Sequence, residues 1–143
     1  MYLGFRLVER EKVLRSADAA ILLDADECVT ESESSALILN IGGQLVVPGR
    51  PHTALDSITR RIVLDLARSL GITVTARPVH RTELATASIL LAGTLFGVRP
   101  VEELDGRQVP RSTGAGLLDK LCQDYSAFCR GKHQLSDHYL THV

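Results

Sequence analysis

The segment whose reading decides the architecture is CVTESESSALILNIGGQLVVP, residues 28–48. Its second half is plain: Ser35–Ile41 is an apolar strand, Gly42 and Gly43 make a two-residue turn, and Gln44–Val47 returns as the antiparallel partner. Its first half raises a question, because Glu31 and Glu33, set among Thr30, Ser32, Ser34 and Ser35, interrupt a chain that is entering a core. Carboxylates placed there need a reason.

Upstream, Leu3, Leu7 and Leu14 with charges between them predict a helix over 2–15, and Ala19–Leu23 reads as a short buried strand closed by the turn signal DADE at 24–27. Downstream, Pro48, Gly49 and Pro51 break the pattern. LDSITRRIVLDLARSLGI (55–72) then places Ile58, Ile62, Leu66 and Leu70 on one helical face, with Gly71 as the stop. A strand follows in ITVTARPV (72–79), then a short helical piece at Arg81–Thr86. SILLAGTLFGVRPV (88–101) gives two strands around a Gly93–Thr94 turn, and LDGRQV (104–109) is another tight turn. Thr113–Cys129 is helical by the spacing of Leu117, Leu118, Leu121 and Tyr125. The class is mixed α/β, with a largely antiparallel sheet and packed helices.

A chain of 143 residues with 45% hydrophobic and 23% charged content matches an ordinary soluble domain and can bury a real core. The formal charge of -1 supplies no electrostatic reason to expect nucleic acid or an anionic membrane as partner. The start, MYLGFRLVEREKVLRS, is neither a secretory signal nor a membrane span, so the expected location is cytoplasmic. Cys28, Cys122 and Cys129 read as reduced packing residues. Cys129 with His133 and His138 with His142 have helical i, i+4 spacing, but no Cys-x-x-Cys accompanies them and Gly131 interrupts the first pair. No metal is expected.

The order of segments resembles the C-terminal lobe of the class IV aminotransferases, a pyridoxal-phosphate group of fold type IV that includes branched-chain and D-amino-acid aminotransferases and aminodeoxychorismate lyase. The resemblance runs from the start to about Tyr125, which implies a lobe at 1–125 and a polar, histidine-containing tail at 126–143. Glu31 stands in the position of the family's VTEG motif, where a carboxylate faces the pyridine nitrogen of the cofactor and keeps it protonated. SITR (57–60) resembles GITR, which implies that the backbone N–H groups of Ile58 and Thr59 hold the phosphate. Gly93 and Thr94 resemble a second phosphate contact. The family's Schiff-base lysine precedes a segment like YLGFRL, a place that falls upstream of Met1, and Lys12, Lys120 and Lys132 do not match it. The chain is therefore expected to carry half of a pyridoxal 5'-phosphate site and not to transaminate alone.

The motifs also depart from the family pattern. TESESSA stands where TEGSGSN is usual, so Ser32 and Ser34 replace glycines, Glu33 replaces a small residue and Ala36 an asparagine. Strand alternation would put Glu31 and Glu33 on one face, where like charges raise a pKa and a second carboxylate opposes a phosphate. Asp56 and Ser57 replace Pro-Gly, and Asp56 is expected to turn away and cap the helix. Taken on their own, Glu31 reads equally as a solvated carboxylate, Ser57–Thr59 as a plain helix cap, and Arg99 as a surface arginine with a substrate carboxylate as the alternative. Two other functional classes stay open: a cofactor-free enzyme with Glu31 and Glu33 as acid and base, and a non-catalytic binding or scaffold protein. An isolated lobe of this kind exposes an apolar face, so the expected partners are a second copy, as a dimer, or a complementary chain, besides a small-molecule ligand.

Overall fold

The computed structural model describes residues 2–49, 55–111 and 116–139. Pro51, the expected helix start at Thr113, and His142 lie outside the described residues. The elements follow in the order α1 (Tyr2–Leu14), β1 (Ile21–Leu23), β2 (Val29–Ser32), β3 (Ala36–Ile41), β4 (Gln44–Pro48), α2 (Ile58–Ser69), β5 (Val74–Arg77), a 3-10 turn (Arg81–Ala85), β6 (Ser88–Gly93), β7 (Gly97–Pro100), β8 (Glu103–Leu104), β9 (Arg107–Gln108), α3 (Leu117–Cys129) and α4 (Ser136–Tyr139).

A five-stranded sheet in the order β5-β4-β3-β6-β7 organises the fold. Its pairings are antiparallel except β4 with β5, which run parallel across the α2 crossover. The β3–β4 hairpin pairs Ile41 with Gln44, so Gly42 and Gly43 are its whole loop, both at positive φ (59° and 86°). Glycine meets that demand without a Cβ clash. Asn40 stabilises the turn by accepting the Gly43 N–H at 3.1 Å.

The sheet is covered on both faces, which is why its strands read as nearly unbroken apolar runs rather than as alternating ones. Ile38, Leu45, Val47, Leu90 and Ala92 point to one side and pack with Ile62, Val63, Leu66 and Ala67 of α2 and Leu118, Leu121 and Phe128 of α3. The intervening residues, Leu37, Leu39, Val46 and Ile89, point to the other side against Val29, Val79, Leu84, Ala87 and Val109. The tail returns to the first layer: the Tyr139 ring meets Phe128 edge-on at 5.7 Å, and its hydroxyl donates to the Asp65 carboxylate of α2. The buried Ser136 hydroxyl donates to the Phe128 carbonyl at 3.0 Å.

The stretch 28–39 differs from the sequence reading in one respect. It is not a single strand: β2 ends at Ser32, residues 33–35 bend, and β3 begins at Ala36. The Ser32 N–H donates to the Ser35 carbonyl at 2.8 Å across that bend. Strand alternation therefore does not extend from Glu31 to Glu33. No helix among the described residues is long and apolar enough to cross a membrane.

Candidate functional site

The three motif segments arrive at one end of the sheet because of register. Ala36 pairs with Ala92 across β3 and β6, which sets the bend at 33–35 beside Gly93, and Gly93 pairs with Gly97 across β6 and β7. The approach is close: a Cβ on Gly93 would lie 3.1 Å from the Ser34 carbonyl oxygen and 3.0 Å from Phe96 Cζ. A side chain here would be tight, and Ser34 or Phe96 would have to give by a few tenths of an ångström. Thr94, the next residue, is exposed at the turn.

The start of α2 reaches the same end through Glu31, whose Oε2 accepts the Leu55 N–H at 3.0 Å. Ser57 caps the helix in an extended conformation, its hydroxyl accepting the Arg60 N–H at 3.2 Å, and Arg61 makes the first intrahelical bond to the Ser57 carbonyl at 3.0 Å. The N–H groups of Ile58 and Thr59 thus stand at the open, positive end of a 12-residue helix. The Thr59 side chain is buried and neighbours the Tyr125 phenol of α3. What Thr59 can offer a ligand is its backbone donor.

Tyr125 is a site neighbour that the sequence reading placed only in the helical spacing of 113–129. Besides neighbouring Thr59, its ring lies against Gly97, where a Cβ would meet Tyr125 Cε1 at 3.3 Å. It therefore bridges the α2 start to the β6–β7 turn. Burial pushes its phenol above the ordinary value, and a hydrogen bond with Cys129 acts in the same direction.

Two charges that looked unfavourable for an anion are neutralised. Asp56 does not cap α2, because Ser57 occupies that role; it pairs instead with Arg61 Nη2 at 2.5 Å and, at 3.9 Å, with Arg60. Glu33 leaves the strand direction and turns toward α1, where Oε1 accepts Lys12 Nζ at 2.8 Å. Its Oε2 accepts the Ala20 N–H at 2.9 Å and the Ser32 hydroxyl at 2.6 Å. Desolvation is the largest influence on this carboxyl and pushes it up. The bonds from Lys12, Ser32 and Ala20 outweigh it, so the group stays below the ordinary carboxylate value. The like-charge argument for a raised pKa does not apply to Glu33, because a cation and two neutral donors surround it.

These residues fit a phosphorylated cofactor with a basic ring: a helix N-terminus with free donors, a turn where the backbone is closely approached at Gly93, an exposed threonine, and the half-buried carboxylate of Glu31. The Ser35 hydroxyl, buried in the adjoining bend, has no hydrogen-bond partner among the described residues. Lys12 is held by Glu33 and by Glu9 at 3.0 Å, and Lys120 by Asp124, so neither is a free amine. Among the described residues no group of three histidine, cysteine or acidic side chains could hold a metal ion.

The family model for amino-transferase class IV matches residues 1–104. A probable branched-chain-amino-acid aminotransferase of Aquifex aeolicus is 31% identical over 144 residues, covering 99% of this chain but 46% of that protein. The branched-chain-amino-acid aminotransferase of Escherichia coli K12 is 32% identical over 132 residues, covering 92% and 43%. Among solved structures, the branched-chain aminotransferase of Thermoproteus uzoniensis with norvaline superposes with a TM-score of 0.89 at 29% identity, covering 98% of this chain and 46% of that one. The branched-chain amino acid aminotransferase of Thermobaculum terrenum in its PLP-bound holo form does so with a TM-score of 0.89 at 28% identity, covering 98% and 46%. The chain thus spans under half the length of these relatives.

Proposed function

The chain belongs to the class IV aminotransferase family, and from that premise we propose that it is the cofactor-facing lobe of a pyridoxal-phosphate-dependent aminotransferase. In this reading Glu31 lies under the pyridine nitrogen, the N–H groups of Ile58 and Thr59 and the Gly93–Thr94 turn hold the phosphate, and polypeptide beyond these 143 residues supplies the reactive amine and the rest of the substrate pocket. The observation that carries it is the bond between Glu31 Oε2 and the Leu55 N–H, which ties the carboxylate to the segment leading into α2.

When bound, the cofactor supplies an electron sink that lets an amino acid lose its α-proton. The chain's own residues do the rest of what is proposed here. The Glu31 carboxylate favours a proton on the ring nitrogen facing it. The α2 terminus and the Thr94 hydroxyl give neutral donors to a dianion. Tyr125 keeps those two donor sets on one frame. Leu7, Val13 and Leu14 of α1, all exposed, suit contact with a complementary chain or a second copy in a dimer.

An absorbance titration of the purified chain with pyridoxal 5'-phosphate, followed by borohydride, tests this. The expected result is saturable binding with an unshifted aldehyde band and no label fixed on Lys12, Lys120 or Lys132. Thr94→Val is expected to weaken it about tenfold, the loss of one charge-assisted hydrogen bond. Absence of saturable binding overturns the reading.

A further inference from the structure

Glu33 has no place in the cofactor reading, yet its side chain is only 4% exposed. A buried carboxylate is tolerated where donors surround it, and three do, each from a different segment: Lys12 from α1, the Ala20 N–H from the connection to β1, and Ser32 from the end of β2. These are the places where α1 joins the body of the molecule. Neither apolar cluster contains a described α1 residue, whereas α2 contributes five side chains to one of them. Among the described contacts, it is Lys12 of α1 that reaches the β2–β3 bend.

The bend that Glu33 starts also controls Glu31. The two residues flank Ser32, whose N–H is held by the Ser35 carbonyl and whose hydroxyl is held by Glu33 itself. The last residues of β2 therefore have little freedom, and the Glu31 side chain leaves the strand from a fixed position toward Leu55. Lys12 is part of the same arrangement and is steadied on its own helix by Glu9 at 3.0 Å. Among the described contacts, the titratable groups that Glu33 and Lys12 face are each other and, for Lys12, Glu9.

We propose that Glu33 is a positioning residue: with Lys12 as its partner, it seats α1 against the β2–β3 bend and thereby fixes where Glu31 presents its carboxylate. The anchoring stands on geometry and does not require a cofactor, so it holds or fails separately from the reading above.

Amide exchange and 15N spectra of the full chain test it, with Glu33→Gln, Lys12→Met, the double variant and Lys12→Arg. Glu33→Gln is expected to speed exchange across Val8–Leu14 and at Ala20 about tenfold and to move the Leu55 amide, while Ile62–Ala67 of α2 stay protected and report that the fold is intact. The double variant should resemble either single one, because removing both charges leaves none buried without a partner. Lys12→Arg should restore protection. Unchanged α1 exchange, an unmoved Leu55 amide, equal loss in α2, or simple additivity of the two single variants would each overturn the proposal.

Discussion

Helices α1 and α2 are of similar length, 13 and 12 residues, but their described side chains make contacts of different kinds. α2 buries Thr59, Ile62, Val63, Leu64, Leu66 and Ala67 and leaves only its start for the site. α1 exposes Leu7, Val13 and Leu14 and is tied down through Lys12. The contrast teaches where rigidity comes from in this chain. Apolar burial is nondirectional and insensitive to pH, so α2 offers a fixed cluster of donors, while an ion pair is directional and titrates, so the placement of α1 depends on solution conditions.

The sharpest way to break the contrast is to hollow the core beneath α2. Leu66 is fully buried, and Leu66→Ala should cost about 2–5 kcal/mol in denaturant unfolding, with α1 and α2 lost together. A loss below about 1 kcal/mol would mean that the core does not hold α2. Acid should separate the two helices instead. The Glu33 carboxyl is depressed below its ordinary value of 4.5, so the anchoring it contributes is complete above that value and disappears as pH falls through the lower folded value. Lys12 is raised above 10.5, chiefly by its hydrogen bond from Nζ to Glu33, so at the other extreme the anchor is lost as pH rises through that higher value. Spectra taken along an acid titration should lose α1 signals before α2 signals; simultaneous loss would contradict this.

Smaller changes probe the ends of α2. Ser57→Ala removes the cap and should cost about 1 kcal/mol while leaving α1 unaffected. Tyr139→Phe removes the donor to Asp65 and should cost about 0.5–1.5 kcal/mol. Because that hydrogen bond is the main reason the Asp65 carboxyl lies below the ordinary value, its titration should move up in the variant, which a carbon-detected carboxyl shift would show. An unmoved Asp65 would mean that the tail does not dock there.

The fold was legible because its cues are local. Gly42–Gly43 fixed the hairpin, the apolar period of 55–72 located α2, and the apolar runs at 35–41, 44–47 and 88–101 announced the strands of a largely antiparallel sheet. Glu31, the SITR start and Gly93–Thr94 could be picked out by resemblance, and the register brings their segments to one end of the sheet. The fate of Glu33 was not legible. Its partner lies 21 residues away on another element, and alternation misplaced it because the strand stops one residue earlier. The Thr59–Tyr125 contact was hidden for a similar reason, since no period links a helix start to a residue several elements later.

Where pyridoxal 5'-phosphate touches the chain is read residue by residue by a 15N-resolved titration with that compound. The predicted result is that the amides of Ile58, Thr59 and Thr94 shift most and saturate together, with those of the 3-10 turn at Arg81–Ala85 unmoved. Shifts confined to other residues, or none at all, would contradict it.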